Sequence, residues 1–475
     1  MPDRFDSSPL PSAEPYSPQL RTALLLTGTG TAGAYHAGVL RALHEAGVKL
    51  DIVAGRGIGV VGALFAAIDG AQQLWDEKGF WRARAVRSLY PWRPTLRLAA
   101  WAVVVALAIV AVPIGVVALG AIVFPIDFLA RMVGAGGATG LVGAYVRLAQ
   151  SAFAPSAFPT WLPRLAVVVL CSAALILVVS GSIAAGRRRQ HGGWWWRALG
   201  SPLRSREATE HCWRVMWDLV CGAARLKQPA PTELARRYTE LLIDNIGQPG
   251  FRELLIAVHD LDAHRDLVFA LLAESRRRDL IRRPTDDAAN ARRAEIVDLS
   301  RVGREHLADA VAAALTVPVV TDAHELTFAA EAYWRGETHR LCDRPGSLAR
   351  VLDELTELGV AQVLLVSAAP ESAGPHALAA GRLDGRGRLG EYLQSAEAAA
   401  VRDVTRLAPG RVPRIFTIRP AHNPVGPFDF SGGYDDRSDR RQGLTELMSR
   451  GYEDAYHQFI EPVLGASGDR VGQEV

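Results

Sequence analysis

Apolar residues in this chain follow three spacings, and each predicts a different element. Short unbroken runs, Thr22–Leu26 and Leu50–Ala54, have strand length and read as strands buried on both faces. Each runs into glycines: Thr27-Gly-Thr-Gly-Thr-Ala-Gly after the first, Gly55-Arg-Gly-Ile-Gly after the second. Helical runs Val39–Ala46 and Val60–Ile68 follow, so strand, glycine turn and helix are predicted twice in succession. The same reading predicts a helix over Leu348–Leu358 and a strand over Val363–Ser367. The third spacing is continuous: Leu98–Ile126 and Leu165–Gly186 carry no charge. As a helix the second would be about 33 Å long, enough for a hydrocarbon core of about 30 Å. The first is longer and is expected to tilt, or to kink at Pro113.

Charge placement turns these two runs into a hairpin. Arg82, Arg84, Arg87, Arg93 and Arg97 precede the first, and Arg187, Arg188, Arg189 and Arg197 follow the second. The connection, residues 127–164, holds only Asp127, Arg131, Arg147 and Arg164. The positive-inside bias puts both flanks in the cytoplasm, with Trp194, Trp195 and Trp196 as an interfacial anchor. The expected organisation is a disordered leader (1–19), one half of an α/β domain (20–92), an inserted hairpin (93–204), the second half (205–420) and a C-terminal extension (421–475). This predicts a two-span protein of the inner (cytoplasmic) membrane, with both termini and the folded domain cytoplasmic. The leader is polar and rich in Pro and Ser, without the apolar stretch of a signal peptide.

Composition excludes little. A net charge of +3 in 475 residues implies neither nucleic-acid binding nor a strongly acidic partner. Cys171, Cys212, Cys221 and Cys342 are scattered without metal or redox spacing, as in a reducing compartment. His36, His211 and His259 have no metal-ligand spacing and read as core or solvated histidines. The arginine-rich stretch Arg276–Arg304 is interleaved with acids and reads as a solvated face. No cofactor or metal is implied.

The chemistry lies in the two glycine turns. Strand, Gly55-Arg56-Gly57-Ile58-Gly59 and helix make the frame of the G-x-S-x-G nucleophile elbow, with glycine at position 57 where the frame carries serine. Gly28, Gly30 and Gly33 after the first strand, Gly38-Val39-Leu40 in the next helix, and Asp51–Gly59 resemble the patatin-like phospholipase family. There a glycine loop forms the oxyanion hole and a Ser–Asp dyad cleaves lipid esters. Thr29 replaces the loop's middle glycine, and Ala32 stands where the family carries arginine. Asp244–Phe251 and Asp260-Leu261-Asp262 before Leu267 resemble the family's middle strands, and Ala308–Pro318 its Ala-Ser-x-Ala-x-Pro helix end. Asp343 matches the dyad aspartate without its adjacent glycine, and Asn423–Glu461 resembles the C-terminal extension of a bacterial subgroup.

The resemblance implies a three-layer α/β fold with a mostly parallel sheet flanked by helices, interrupted by the transmembrane hairpin. It implies Gly28, Thr29, Gly30 and Gly33 as oxyanion hole, Gly55 and Gly59 as elbow glycines, and Asp343 as a vestigial base beside Gly57. Losing a serine nucleophile costs on the order of 10⁶ in turnover, so the leading expectation is a pseudoenzyme. Its partners would be membrane lipids and a lipid or acyl ligand held in a retained pocket. Two alternatives stand beside it. One is an ester hydrolase using Asp343 with water or a non-standard nucleophile. The other is nucleotide binding through Gly28-x-Gly30-x-x-Gly33, although Asp51 opens the second strand instead of closing it.

Overall fold

The computed structural model describes residues 16–134, 140–152, 154, 158–187, 200–222, 224, 226–281, 295–301, 303–371, 385–407 and 414–464. Residues 1–15 of the expected leader, the tryptophans at 194–196 and much of the arginine-rich stretch lie outside them. The chain divides into two units, Met1–Pro91 with Arg204–Val475, and Trp92–Leu203.

In the first unit β1 (Thr22–Thr27) leads to α1 (Ala32–Glu45), then β2 (Ile52–Arg56) to α2 (Gly59–Ala67). The second unit contributes α3 (Pro94–Met132), α4 (Leu141–Ala152) and α5 (Phe158–Arg187). The first unit resumes with α6 (Arg206–Cys221), α7 (Pro231–Asn245), β3 (Glu253–Asp260), β4 (Arg265–Leu271), α8 (Glu274–Ile281), β5 (Ile296–Asp298) and α9 (Leu307–Ala314). After these come β6 (His324–Thr327), β7 (Thr338–Cys342), α10 (Ser347–Glu357), β8 (Gln362–Ser367), α11 (Gly385–Leu407) and β9 (Arg414–Ile418). The described residues end with a small β10–β11 ribbon (Gly433–Asp435, Arg440–Gln442), α12 (Leu444–Ala455) and a π-helical segment, Tyr456–Leu464.

Among the described residues nine strands form one sheet, ordered β5-β4-β3-β2-β1-β8-β9, with β7 on β3 and β6 on β7. Its centre is parallel: β1 pairs with both β2 and β8, and β2 with β3. Strands with helices over both faces are apolar at every position rather than alternating, and all six residues of β1 are buried. On one face Ala23 and Leu25, Ile52 and Ala54, and Val363 and Leu365 form rows covered by Leu348, Val351 and Leu355 of α10 and Val401 and Val404 of α11. Strand side chains repeat every two residues, so Thr27 and Arg56 extend two of these rows to the sheet's C-terminal edge.

Three expectations shift. The helix after the glycine loop starts at Ala32 rather than Val39, because Ala32, Ala34 and Ala37 are strong helix formers. Asp244–Phe251 is not a strand: Asn245 ends α7, residues 246–251 turn, and β3 follows from Glu253. Within the expected leader the chain is already tied down from Tyr16, whose ring is buried and whose hydroxyl donates to the Lys49 carbonyl at 3.1 Å, while the Ser17 N–H donates to Gln362 Oε1 at 2.9 Å.

In the second unit α3 and α5 contain stretches long and apolar enough to cross a membrane, Ile114–Met132 and Arg164–Ser182. Their mean hydropathies are 1.9 and 2.5, and only 11% and 17% of their residues are buried, unlike core helices. The connection is partly helical: α3 runs on to Met132, and α4 sets Tyr145 edge-on to Phe124, 5.5 Å between ring centres.

Candidate functional site

Both glycine turns arrive at the C-terminal edge of the parallel strands, where open α/β sheets place their sites. Residue 57 turns left-handed, with φ of +54°, a conformation glycine adopts freely. A Cβ there would lie 2.8 Å from Asp343 Oδ2, so the chain brings together the two positions expected to form a dyad. The same Cβ would lie 2.2 Å from the Gly28 carbonyl oxygen, which accepts the Ile58 N–H at 2.9 Å. The first strand's turn therefore fills the space into which an elbow side chain would project.

Asp343 follows β7 and is buried; its own N–H donates to the Thr316 carbonyl at 2.8 Å. Its Oδ1 is held by Arg56, whose Nη1 donates at 2.7 Å. Arg56 is fully buried. Its Nε donates to Thr27 Oγ1 at 2.7 Å, and Nη2 forms an ion pair with Glu397 Oε2. Thr27 Oγ1 donates to the other Glu397 oxygen, Oε1, at 2.6 Å. Glu397 lies one helical turn before Val401 on the core-facing stripe of α11. Where the aliphatic rows end, the same faces of sheet and helix thus supply a polar cluster of one guanidinium and two carboxylates.

A buried charge is tolerated when paired and hydrogen-bonded, and is costly otherwise. Burial pushes the Asp343 carboxyl above its ordinary range, against the pull of Arg56 and of the Arg344 and Gly57 N–H groups. The neighbouring His36 ring, its Nε2 3.1 Å from the Thr27 carbonyl, is pulled down to about 4 by burial, so it is neutral at pH 7. Burial lifts the Cys342 thiol to about 12, leaving it protonated and inert.

The glycine loop is covered by the chain's own C-terminal segment. Thr31 N–H donates to the Pro427 carbonyl at 2.9 Å, and Thr31 Oγ1 to the Gly426 carbonyl at 2.8 Å. At Gly30 a Cβ would meet the Pro427 oxygen at 1.9 Å, which no side chain allows. The segment is anchored behind: Gly38 of α1 and Gly451 of α12 bring those helices into backbone contact, and Tyr35 donates to Asp454 at 2.8 Å. Among the described residues a cavity of about 20 Å³ opens beside the loop, walled by Gly28, Thr29, Thr31, Gln394, Glu397 and Val425 and touching neither Gly57 nor Asp343. That is room for about one water. It admits neither an acyl chain nor a pyrophosphate.

Of the expected site residues, Gly28, Thr29, Gly30, Gly57 and Asp343 converge here. Gly33 lies within α1, where a Cβ would meet the Trp81 ring at 2.1 Å, and Gly59 presses α2 against the Leu26 carbonyl. Both serve packing. Gly55 does the same against the start of α2, where a Cβ would meet Val60 at 2.7 Å. His211 packs against Phe80, and His259 pairs with Asp266 at 2.7 Å. Arg56 and Glu397 were not among the expected site residues.

In sequence, the comparisons with known proteins reach only a short part of the chain. Over 70 residues the chain is 41% identical to "Patatin-like phospholipase domain-containing protein 6" of mouse and of human. That match covers 14% of this chain and 5% of each relative, so the chain spans about a twentieth of their length. VipD from Legionella pneumophila overlays with a TM-score of 0.31 and 13% identity, covering 94% of this chain and 67% of that one, too loosely to carry an argument. No family model matches.

Proposed function

We propose that this chain is a membrane-anchored, patatin-like protein that does not hydrolyse esters, its dyad replaced by a buried ion cluster. One observation carries the reading: residue 57 has no nucleophile, and the Gly28 carbonyl and Asp343 occupy the space a side chain would need. Asp343 keeps Oδ2 toward position 57, so the reading rests on the missing nucleophile and the blocked side-chain space, with Arg56 holding the other carboxylate oxygen, Oδ1. A water-activating route through Asp343 is disfavoured, since the one-water cavity does not reach it. Nucleotide binding is disfavoured too, because the N–H at the start of α1 is spent on Pro427.

Anchoring is read from the two apolar helices, with both flanks of the hairpin on the cytoplasmic side by their arginines. The one-water cavity beside the glycine loop is too small for an acyl chain. The test is hydrolysis of short-chain aryl esters and phospholipids by the full chain purified from membranes, beside Asp343→Asn. Both should match the buffer blank. Turnover by the wild type that the variant lacks overturns the reading. Release of the chain by an alkaline wash removes the anchor, and cleavage of either hairpin flank from the periplasmic side removes its orientation.

A further inference from the structure

A second concavity lies in the first unit, away from the elbow. It is a surface cleft of about 800 Å³ between the segment 81–87 and the C-terminal segment. Residues 84–88 form a 3₁₀ turn, in which side chains three apart eclipse, so Arg84 and Arg87 stand on one side. Arg82, in the preceding 3₁₀ turn, lines the same cleft. All three guanidinium-bearing residues are exposed, and among the described residues none pairs with a carboxylate. Trp81 and Phe430 add apolar lining, and Thr445 lines the cleft as well. Among the described residues no Asp or Glu lines the cleft. The nearby start of α12 is not the attraction, since its Gly443 N–H already donates to Glu446.

We infer that this cleft binds a phosphate group, that of an anionic phospholipid headgroup. Planar guanidinium groups meet phosphate oxygens in paired hydrogen bonds, and three arginines without a carboxylate partner among the described residues line this single cleft. The size suits a headgroup with its glycerol, within the range of small-ligand sites. Lipid is favoured over free phosphate because the arginines sit in the stretch of chain leading directly into α3, the first apolar helix. That choice of source rests on the membrane-anchored reading. The phosphate site does not, and detectable ester hydrolysis would leave it standing.

The experiment is calorimetric titration of the full chain, held in nanodiscs of zwitterionic lipid, with three probes: dihexanoyl phosphatidylglycerol, glycerol phosphate and inorganic phosphate. The wild type is expected to bind the short-chain lipid at least tenfold more tightly than inorganic phosphate. The triple variant Arg82→Ala, Arg84→Ala, Arg87→Ala should lose at least tenfold for every probe, with its thermal midpoint unchanged. Arg402→Ala with Arg406→Ala, which removes exposed charge on α11 at residues that do not line the cleft, should bind as the wild type does. Equal affinity for lipid and inorganic phosphate supports the phosphate site and overturns its lipid occupant. Unchanged binding in the triple variant, an equal loss in the control, or no binding by the wild type overturns the site itself.

Discussion

Arginine is used in two opposite ways in the first unit. At the sheet edge Arg56 is sealed from solvent, and its donors are committed to Thr27, Asp343 and Glu397. Some thirty residues on, Arg82, Arg84 and Arg87 are exposed and, among the described residues, without an acidic partner. The first site resembles an active site in position and is chemically closed; the second has none of the motif and is chemically open. Position in a fold therefore does not identify the surface that meets a ligand. Unspent polar groups are the better guide.

The largest expected effect tests the sealed side. Arg56→Met leaves two buried carboxylates without their cation, and breaking a buried ion pair in this way costs about 3–5 kcal/mol. Chemical denaturation of the detergent-solubilised chain should show that loss, and adding Asp343→Asn and Glu397→Gln should recover much of it. Arg84→Ala, on the open side, should stay within about 0.5 kcal/mol of wild type. If the two arginine substitutions cost alike, the contrast fails.

A smaller effect reads the same burial through pH. His36 is held at about 4 in the folded chain, against about 6.5 unfolded. The unfolded state therefore binds the extra proton between those values. The stability contributed by a neutral His36 is complete above pH 6.5 and is lost as pH falls to about 4, roughly 3 kcal/mol in all. In His36→Gln the denaturation midpoint should fall less steeply over that window. Identical slopes would mean that the ring reaches solvent.

Much of the frame was legible because it is written in local periodicity. β1, β2, α2 and β8 lie within about two residues of the expected bounds, since short apolar runs ending in glycine or polar residues state their own limits. The pairing of Gly57 with Asp343 was reached through the resemblance alone, as no local pattern links positions so far apart. Asp244–Phe251 failed for the reverse reason: a segment matched to a strand carries the end of an amphipathic helix. Glu397 and Pro427 left no local trace, the first on a surface-like helix and the second in a segment without period. Arg56 did leave one. It occupies the core-facing register of a strand whose other residues are apolar, and a charge there demands a buried acid.

The central claim is that the elbow is closed, and labelling of Gly57→Ser by a fluorophosphonate probe tests it most directly. The variant should first be shown to retain a cooperative thermal transition. The account predicts no labelling at position 57, because the new Cβ meets the Gly28 carbonyl and the Asp343 carboxylate in the space the side chain needs. Rapid labelling at that position, lost when Asp343→Asn is added, would show an open site with a free base and would contradict it.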